Sequence, residues 1–423
     1  MTSIVILGGG FGGIRAALDL DWKLRRRRDV KIILIDRANG QTFYPALYEV
    51  ASIFGIDHQH PYHTKLKGTI CIPYAEIFAG TKIQTVQAEV IAVNLEDRHL
   101  TTTGFNLYPF DYLVIALGSV PSTFGVPGAE GYAYKFKTIE DGLALADKIE
   151  ELFTSIEKNE RAVPVKIIVG GAGFTGIELT AELSNCIGHV AHRHKISRRG
   201  YTAITLIEAG PEMLPMIDDR ERSLIKVRLA KLGVNVLAGS PIVKVGPNFV
   251  KLKDGRQLEG DIVIWSGGVQ APELAKKING LERDEKDRIM VDDWLRVKNH
   301  HEIFGVGDAT AFLDPKTQKP VPQLAYVAGE QGKVAAENIA RLISGGGKAT
   351  IPLGKYQPFY DTWVTPVGGK YAVAHLGRGI TVSGFWGYLL RQLINLRYFL
   401  SILSLPQALH LFFSNIKVFS END

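Results

Sequence analysis

Two glycine-rich loops are the parts of this 423-residue chain whose residue types and spacing point most directly to chemistry. Each satisfies the pattern GxGxxG between an apolar run and an amphipathic stretch. In that context the first glycine permits a tight turn, the second lets the backbone approach a pyrophosphate, and the third permits close helix packing. N–H groups at the helix N-terminus then face the phosphate charge. The loops are Gly8-Gly9-Gly10-Phe11-Gly12-Gly13 and Gly171-Ala172-Gly173-Phe174-Thr175-Gly176.

An acidic residue ends the second apolar run after each loop, Asp36 in the first case and Glu208 in the second. A carboxylate at this position accepts a hydrogen bond from a ribose hydroxyl and repels a 2′-phosphate, so Glu208 favours NADH over NADPH. Two dinucleotide sites in one chain favour electron transfer between two cofactors. The alternative is two independent nucleotide-binding modules.

The elements that must position the loops follow the same strand, helix, strand order twice, which predicts two parallel βαβ units. We therefore expect an α/β fold with two Rossmann-like domains. The predicted elements of the two units are residues 4–7, 11–20 and 30–35, then 165–169, 176–186 and 203–207. Further strands are predicted at residues 86–93, 112–115, 234–237, 261–265 and 303–306.

Composition excludes several other sources of chemistry. The hydrophobic fraction of 46% and charged fraction of 22% are those of a globular protein. A net charge of +5 suits an anionic cofactor or a lipid headgroup as well as it suits nucleic acid. Cys71 and Cys186 are far apart without a CxxC spacing, which argues against a disulfide framework, a structural zinc and a dithiol centre. His58, His60 and His63 are interpreted as a surface loop rather than a metal site.

Taken jointly, these landmarks resemble the two-dinucleotide-binding-domain flavoproteins over essentially the whole chain. Within them the sequence is most similar to the type II NADH dehydrogenases, the single-subunit NADH:quinone oxidoreductases. Besides the two loops, the resemblance is carried by residues 36–37, 43–51, 116–119, 178, 208–211, 265–269 and 304–308.

The resemblance implies FAD in a first domain at residues 1–120 and 286–345, and NADH in a second domain at residues 121–285. Asp308 would reach the ribityl or pyrophosphate region, and it could cap a helix before Ala309 at the same time. Besides the loop residues, Asp36 and Glu208, the implied cofactor-binding residues are Arg37, Pro45, Val90, Ala116, Leu117, Gly118, Gly267, Asp308, Ala325 and Lys370.

Glu178 is the catalytic residue that the resemblance implies. It falls in the first turn of the predicted helix 176–186, where family members place an acid close to the nicotinamide and flavin. A carboxylate there could orient the nicotinamide and exchange protons. The alternative role is stabilisation of the helix dipole.

The chain departs from the family's quinone motif, AQxAxQ. Tyr326 and Glu330 replace the two expected glutamines. Tyrosine can still stack on a quinone ring and donate a hydrogen bond, whereas Glu330 changes the charge at the ring. These two residues are the predicted quinone-binding pair, and they leave the identity of the quinone open.

The C-terminal section, residues 346–423, is predicted to lie on a membrane surface. Residues 385–403 are rich in apolar side chains but contain Arg391, Gln392, Asn395 and Arg397, which make a lipid-spanning helix costly. After Pro406, polar residues recur on one helical face, as in an interfacial amphipathic helix. The alternative is that these helices pack on the protein body or across a dimer interface.

We expect an enzyme that transfers a hydride from NADH to flavin and then two electrons to a membrane quinone, without proton pumping. We also expect a homodimer on the cytoplasmic face of the cell membrane, without a metal or a nucleic-acid partner. Two alternatives stay open. One is a sulfide:quinone oxidoreductase, which needs a reactive cysteine pair, and the other is a flavin-bearing, redox-regulated interaction protein.

Overall fold

The computed structural model describes residues 1–52, 68–196, 200–346 and 351–420. The three histidines at positions 58, 60 and 63 lie outside the described residues. In chain order the strands are β1 (Thr2–Leu7), β2 (Val30–Asp36), β3 (Gly40–Thr42), β4 (Cys71–Pro73), β5 (Gln84–Gln87), β6 (Val90–Asn94), β7 (His99–Thr102), β8 (Leu107–Pro109), β9 (Tyr112–Ile115), β10 (Val120–Pro121), β11 (Tyr134–Lys135), β12 (Val165–Gly170), β13 (Thr202–Ile207), β14 (Asn235–Leu237), β15 (Ile242–Gly246), β16 (Phe249–Leu252), β17 (Gln257–Glu259), β18 (Ile262–Trp265), β19 (Val269–Gln270), β20 (Ile289–Met290), β21 (Ile303–Gly305), β22 (Thr310–Ala311), β23 (Trp363–Pro366), β24 (Ala372–His375) and β25 (Thr381–Gly384).

The helices include two long ones that directly follow the glycine loops. In chain order they are α1 (Phe11–Lys23), α2 (Leu47–Val50), α3 (Tyr74–Ile77), α4 (Ala129–Tyr132), α5 (Ile139–Glu157), α6 (Phe174–Arg193), α7 (Asp219–Lys231), α8 (Glu273–Lys277), α9 (Ala325–Ser344), α10 (Phe385–Ile402) and α11 (Leu405–Ser420). Two 3-10 turns occupy Tyr44–Ala46 and Gly307–Ala309.

In its described part, the first of two units contains residues 1–42, 71–120, 269–346 and 351–360. Its centre is a five-stranded parallel sheet in the order β21-β9-β1-β2-β5. Ile4, Val5 and Ile6 of β1 are all fully buried, as expected for a parallel strand covered on both faces. Helix α1 packs against α9.

The predicted strand 86–93 is wrong as a single element. Its first part belongs to β5 at the edge of the parallel sheet, and its second part is β6 in the antiparallel sheet β6-β7-β8. The chain leaves the parallel sheet at Ala88, whose N–H donates to the carbonyl of Asp36, and turns at Glu89. An apolar run of this length cannot reveal such a change of sheet.

The second unit repeats the same plan. In its described part it contains residues 43–52, 68–70, 121–196, 200–268 and 361–420. A five-stranded parallel sheet has the order β11-β18-β12-β13-β14. The expected α/β fold with two Rossmann-like units is therefore confirmed.

The unit also contains the antiparallel sheet β23-β24-β25, which precedes α10 and α11 in the chain and packs on α6, α7 and α10. The sequence did not predict this small sheet. Within the described ranges, no helix combines the length and apolar character that are needed to cross a lipid bilayer.

The contacts place the unit boundaries differently from the expected domain limits. The chain returns to the first unit at Val269, before the expected residue 286, because Ala271, Ala275 and Ile278 are fully buried in its core. The described residues after 360 belong to the second unit. Which unit holds which cofactor stays a prediction at this point.

Candidate functional site

The first glycine loop lies between β1 and α1 in a conformation that only glycine fits. Gly8 has φ +106°, and a Cβ atom there would lie 2.3 Å from the carbonyl oxygen of Ala116. A Cβ at Gly13 would lie 1.9 Å from the carbonyl oxygen of Gly8. By contrast, a Cβ at Gly10 would have no atom within 4 Å. The loop is therefore tightly packed on one side and open at the helix N-terminus.

The second loop, between β12 and α6, has the same geometry. Gly171 has φ +109°, and its Cβ would lie 2.6 Å from Cα of Gly267. A Cβ at Gly176 would lie 1.9 Å from the carbonyl oxygen of Gly171, while at Gly173 it would meet open space. Neither α1 nor α6 has a side-chain N-cap hydrogen bond. Their first N–H groups can therefore bind a pyrophosphate, and both loops fit a dinucleotide.

The two acids that follow the loops, Asp36 and Glu208, accept hydrogen bonds from backbone N–H groups of the loops. Asp36 accepts hydrogen bonds from the Gly9 N–H at 2.6 Å and from the Ala38 N–H at 2.8 Å. Glu208 accepts from the N–H groups of Ala172 and Gly210, both at 2.8 Å. Each carboxylate oxygen has further lone-pair capacity, so a ribose hydroxyl can bind as well. The spacing of the two acids in the sequence does not reveal that they bond to the loop backbone.

Other first-unit residues gather near the first loop. The Tyr74 hydroxyl donates to the Gly9 carbonyl at 3.0 Å, and its ring is buried. A Cβ at Gly12 would lie 3.0 Å from Val306 and 3.1 Å from the carbonyl oxygen of Ala328. The ends of β21 and α9 therefore adjoin the loop. Tyr74 was not predicted, because its link to the loop spans 65 residues of sequence.

Asp308 lies in the 3-10 turn that follows β21. The Ser119 hydroxyl donates to its Oδ2 at 2.7 Å, and the Gln323 side chain donates to its carbonyl at 2.9 Å. The Gly307 N–H donates to Gln331 Oε1 at 2.7 Å. Ser119 follows Gly118 directly, so the motif at 116–119 contained the signal that could have identified it. Of the other predicted residues, Arg37, Val90, Ala116, Leu117, Gly118 and Ala325 also lie in the first unit, whereas Pro45, Gly267 and Lys370 lie in the second.

Tyr326 and Glu330 lie one helical turn apart on α9. The Tyr326 side chain is 48% exposed, and that of Glu330 is half-buried. Both affect the neighbouring Tyr356, whose pKa is raised first by burial and then by the charge of Glu330. Tyr356 belongs to the same hydrophobic core as Val327, the residue that follows Tyr326 on α9.

The sequence predicted Glu178 in the first turn of its helix, and this prediction is wrong. Helix α6 begins at Phe174 rather than at residue 176, which moves Glu178 into the second turn. The alternative dipole role loses its basis, because that effect falls off within the first turn. Burial raises the pKa of Glu178 to about 7, while the Arg391 charge and a 3.2 Å hydrogen bond from Thr365 oppose the rise.

Elements distant in sequence surround Glu178. Arg391 of α10 is buried, and its Nη2 donates to the carbonyl oxygen of Pro45 at 2.9 Å. Its Cζ lies 5.2 Å from the centre of the Tyr48 ring. Pro45, Tyr48 and Arg391 belong to the same unit as Glu178. Because the pKa of Glu178 is about 7, its carboxyl group can exchange protons at neutral pH.

One of the two cysteines, Cys186, lies in the second unit. Cys186 is buried on α6, and its thiol donates to Glu182 Oε1 at 2.9 Å. Burial, followed by the charge of Glu182, raises the pKa of this thiol well above its usual range. The same carboxylate accepts from the Gly369 N–H at 3.1 Å, and the next residue, Lys370, is exposed. A thiol held protonated is a poor nucleophile.

Several known proteins are similar to this chain. The chain is 29% identical to the type II NADH:quinone oxidoreductase of Staphylococcus haemolyticus over 349 residues, which covers 81% of this chain and 83% of that protein. It is 29% identical to the enzyme of the same name from Haemophilus influenzae over 376 residues, 81% of each chain.

Solved structures share the fold over almost the full length. The NDH2 protein of Plasmodium falciparum, solved in complex with NADH, superposes with a TM-score of 0.82 at 19% identity and 98% coverage of both chains. The sulfide:quinone oxidoreductase of Aquifex aeolicus superposes with a TM-score of 0.74 at 20% identity, covering 95% of this chain and 91% of that one. At these identities the likeness shows the fold alone.

The family model described as pyridine nucleotide-disulphide oxidoreductase matches residues 2–332, which include both glycine loops, both acids and the Asp308 turn. The chain therefore belongs to the pyridine nucleotide-disulphide oxidoreductase family.

Proposed function

We propose that this chain is an FAD-dependent NADH:quinone oxidoreductase of type II, which oxidises NADH and reduces a membrane quinone without pumping protons. The observation that carries the proposal is the pair of glycine loops with matching geometry in one chain of this family. The relatives named type II NADH:quinone oxidoreductase, which cover four fifths of the chain, support the choice of acceptor.

In this proposal FAD binds in the first unit and NADH in the second. Open space beside Gly10, the N-terminus of α1 without a side-chain cap and the hydroxyl-accepting Asp308 fit FAD. Gly173, the start of α6 and Glu208 fit NADH in the same way. When bound, NADH would supply a hydride and leave as NAD⁺, and FAD would supply the redox centre that accepts the hydride and passes two electrons to a quinone.

The protein's own groups position the rings and manage charge. Glu178 is the proposed proton-exchanging residue, because a carboxyl with a pKa of about 7 both gives and accepts protons at neutral pH. Tyr326 and Glu330 are the proposed quinone contacts on α9. Glu208 is proposed to select NADH, since its charge disfavours a 2′-phosphate.

We further propose that helix α10 rests on the cytoplasmic face of the cell membrane. Several of its large apolar side chains are exposed, including Trp386 at 68% and Leu393 at 53%. An exposed apolar helix face is typical of a peripheral membrane contact. The expected homodimer also stays a prediction, which sedimentation of the purified protein in detergent would test.

The function is tested by measuring NADH oxidation by purified, FAD-loaded protein on lipid vesicles that contain ubiquinone or menaquinone. We expect turnover with at least one quinone, and a preference for NADH over NADPH. Retained FAD without turnover on any quinone would contradict the proposal and favour the redox-regulated interaction protein.

The sulfide:quinone alternative is tested separately with the double variant Cys71→Ser/Cys186→Ser. We expect this variant to keep wild-type NADH:quinone turnover, because the Cys186 thiol is buried and bonded to Glu182. Sulfide-dependent quinone reduction that disappears in the double variant would instead support the alternative.

A further inference from the structure

A buried arginine of the C-terminal section shares its surroundings with carboxylates from other helices of the second unit. Arg391 is 5% exposed and lies against the Tyr48 ring of α2, and α2 in turn packs on α6, the helix that carries Glu178. The charge of Arg391 accordingly acts on Glu49 and Glu178. Glu49 of α2 is also buried. A buried carboxylate without a nearby cation is costly to ionise, so an arginine at this place has a direct electrostatic effect.

The ionisable groups that interact here come from three helices, and β23 adds a hydroxyl. We call them the Arg391 cluster. Arg391 is its cation, whereas its tyrosines and glutamates are neutral or negative. The members are Arg391 and Tyr388 from α10, Tyr48 and Glu49 from α2, Glu178 and Glu182 from α6, and the hydroxyl of Thr365 from β23.

The position of α10 brings Arg391 into this cluster. The helix packs on β23 and β24. A Cβ at Gly387 would lie 2.3 Å from the carbonyl oxygen of Ala372, so glycine allows the helix to lie directly on the sheet. Arg391 follows one turn later and reaches Pro45 and Tyr48. The same helix exposes Trp386 and Leu393.

We propose that Arg391 is a positioning residue that sets the proton affinity of Glu178, so that the helix with the exposed apolar face also tunes the acid of the site. The inference rests on the proposed function, in which Glu178 exchanges the proton. It follows that a shift of α10 away from β23 would move the positive charge of Arg391 away from the Glu178 carboxyl. The carboxyl would then hold its proton to higher pH.

The test is the pH profile of NADH:quinone turnover in FAD-loaded wild type, Glu178→Gln and Arg391→Gln. An opposite charge nearby lowers a carboxyl pKa by about 1 to 3 pH units. We therefore expect Arg391→Gln to move the inflection that Glu178→Gln abolishes upward by about one pH unit or more. The matched control is Arg397→Gln, which removes the same charge from an exposed position of α10 and should leave the inflection in place.

A second readout does not depend on turnover. The free energy of unfolding is measured by chemical denaturation at pH values from about 5 to about 9, a range that brackets the Glu178 pKa of about 7. Its dependence on pH reports the proton that Glu178 binds in the folded state. The pH at which the free energy of unfolding stops falling should be higher in Arg391→Gln than in wild type. A solely structural role would lower the whole curve without moving this point.

If Arg391→Gln does not fold, Arg391→Lys carries the test, because the shorter cation is farther from Glu178 and should shift the inflection upward by less. An unshifted inflection in an active, folded variant overturns the inference. Anaerobic flavin reduction by NADH is recorded in parallel. If NADH does not reduce the flavin of the wild-type protein, the result counts against the proposed function instead.

Discussion

The two ends of the first glycine loop predict opposite consequences for the same substitution. At Gly10, which has φ −80° and ψ −165°, alanine adopts the backbone without strain and its methyl group meets no protein atom within 4 Å. At Gly13 the methyl group would lie 1.9 Å from the carbonyl oxygen of Gly8. Gly10→Ala should therefore affect the ligand, and Gly13→Ala should affect the fold.

The magnitudes follow from what each methyl group displaces. At Gly10 it occupies the space through which a pyrophosphate approaches the N–H groups of α1. Losing one charge-assisted hydrogen bond costs about 1.5 to 3 kcal/mol, which weakens FAD binding about 10-fold to 150-fold. The free energy of unfolding of the Gly10→Ala variant should stay within about 1 kcal/mol of the wild-type value. Gly13→Ala must push α1 away from the loop, which costs about 1 to 3 kcal/mol of unfolding free energy.

The assay combines the dissociation constant of FAD, from fluorescence titration of flavin-depleted protein, with chemical denaturation of the same samples. Gly173→Ala, at the corresponding position of the second loop, is the matched control and should weaken NADH binding while FAD binding stays unchanged. Wild-type FAD affinity in Gly10→Ala would refute the assignment of the first loop. Weaker FAD binding in Gly173→Ala would refute the division of cofactors between the units.

Three further predictions concern single side chains. Glu208→Gln removes the charge that repels a 2′-phosphate, so the ratio of kcat/KM for NADPH to kcat/KM for NADH should rise about tenfold, which corresponds to about 1.4 kcal/mol. An unchanged ratio in steady-state kinetics would exclude Glu208 as the residue that selects NADH. Leu393→Glu should reduce cosedimentation with lipid vesicles but leave NADH reduction of bound flavin intact, and unchanged cosedimentation would argue that α10 faces protein instead. Because the pKa of Glu178 is raised from 4.5 to about 7, the stability it contributes is present below pH 4.5 and is lost as pH rises to 7. Glu178→Gln should thus gain stability relative to wild type over that interval, on the order of 2 kcal/mol after allowing for its partial exposure, and denaturation curves that stay parallel would contradict the raised pKa.

The features that sequence predicted best are those encoded within one βαβ unit. Both glycine loops, their helices and the acids at 36 and 208 lie in short stretches whose spacing has a direct backbone meaning. The same local reasoning placed the start of α6 two residues late, because Phe174 and Thr175 were assigned to the loop rather than to the helix. That small error put Glu178 in the wrong turn.

The features that sequence could not provide depend on contacts between distant segments. The hydrogen bond from Arg391 to Pro45 joins residues 346 positions apart, and no periodicity in either segment points to the other. Composition marked Arg391 as a residue that disfavours a membrane span, whereas the structure buries it beside carboxylates. Sheet β23-β24-β25 was missed for a related reason, since its short strands gain their pairing from tertiary context.

The central claim, that one chain passes electrons from NADH through flavin to quinone, is tested most directly by anaerobic stopped-flow absorbance. Purified protein with bound FAD is mixed first with NADH and then with a quinone on lipid vesicles. We predict that the flavin absorbance bleaches on the first mixing and returns on the second, at rates no slower than steady-state turnover. Flavin that stays oxidised under excess NADH, or that stays reduced in the presence of every quinone, would contradict the account.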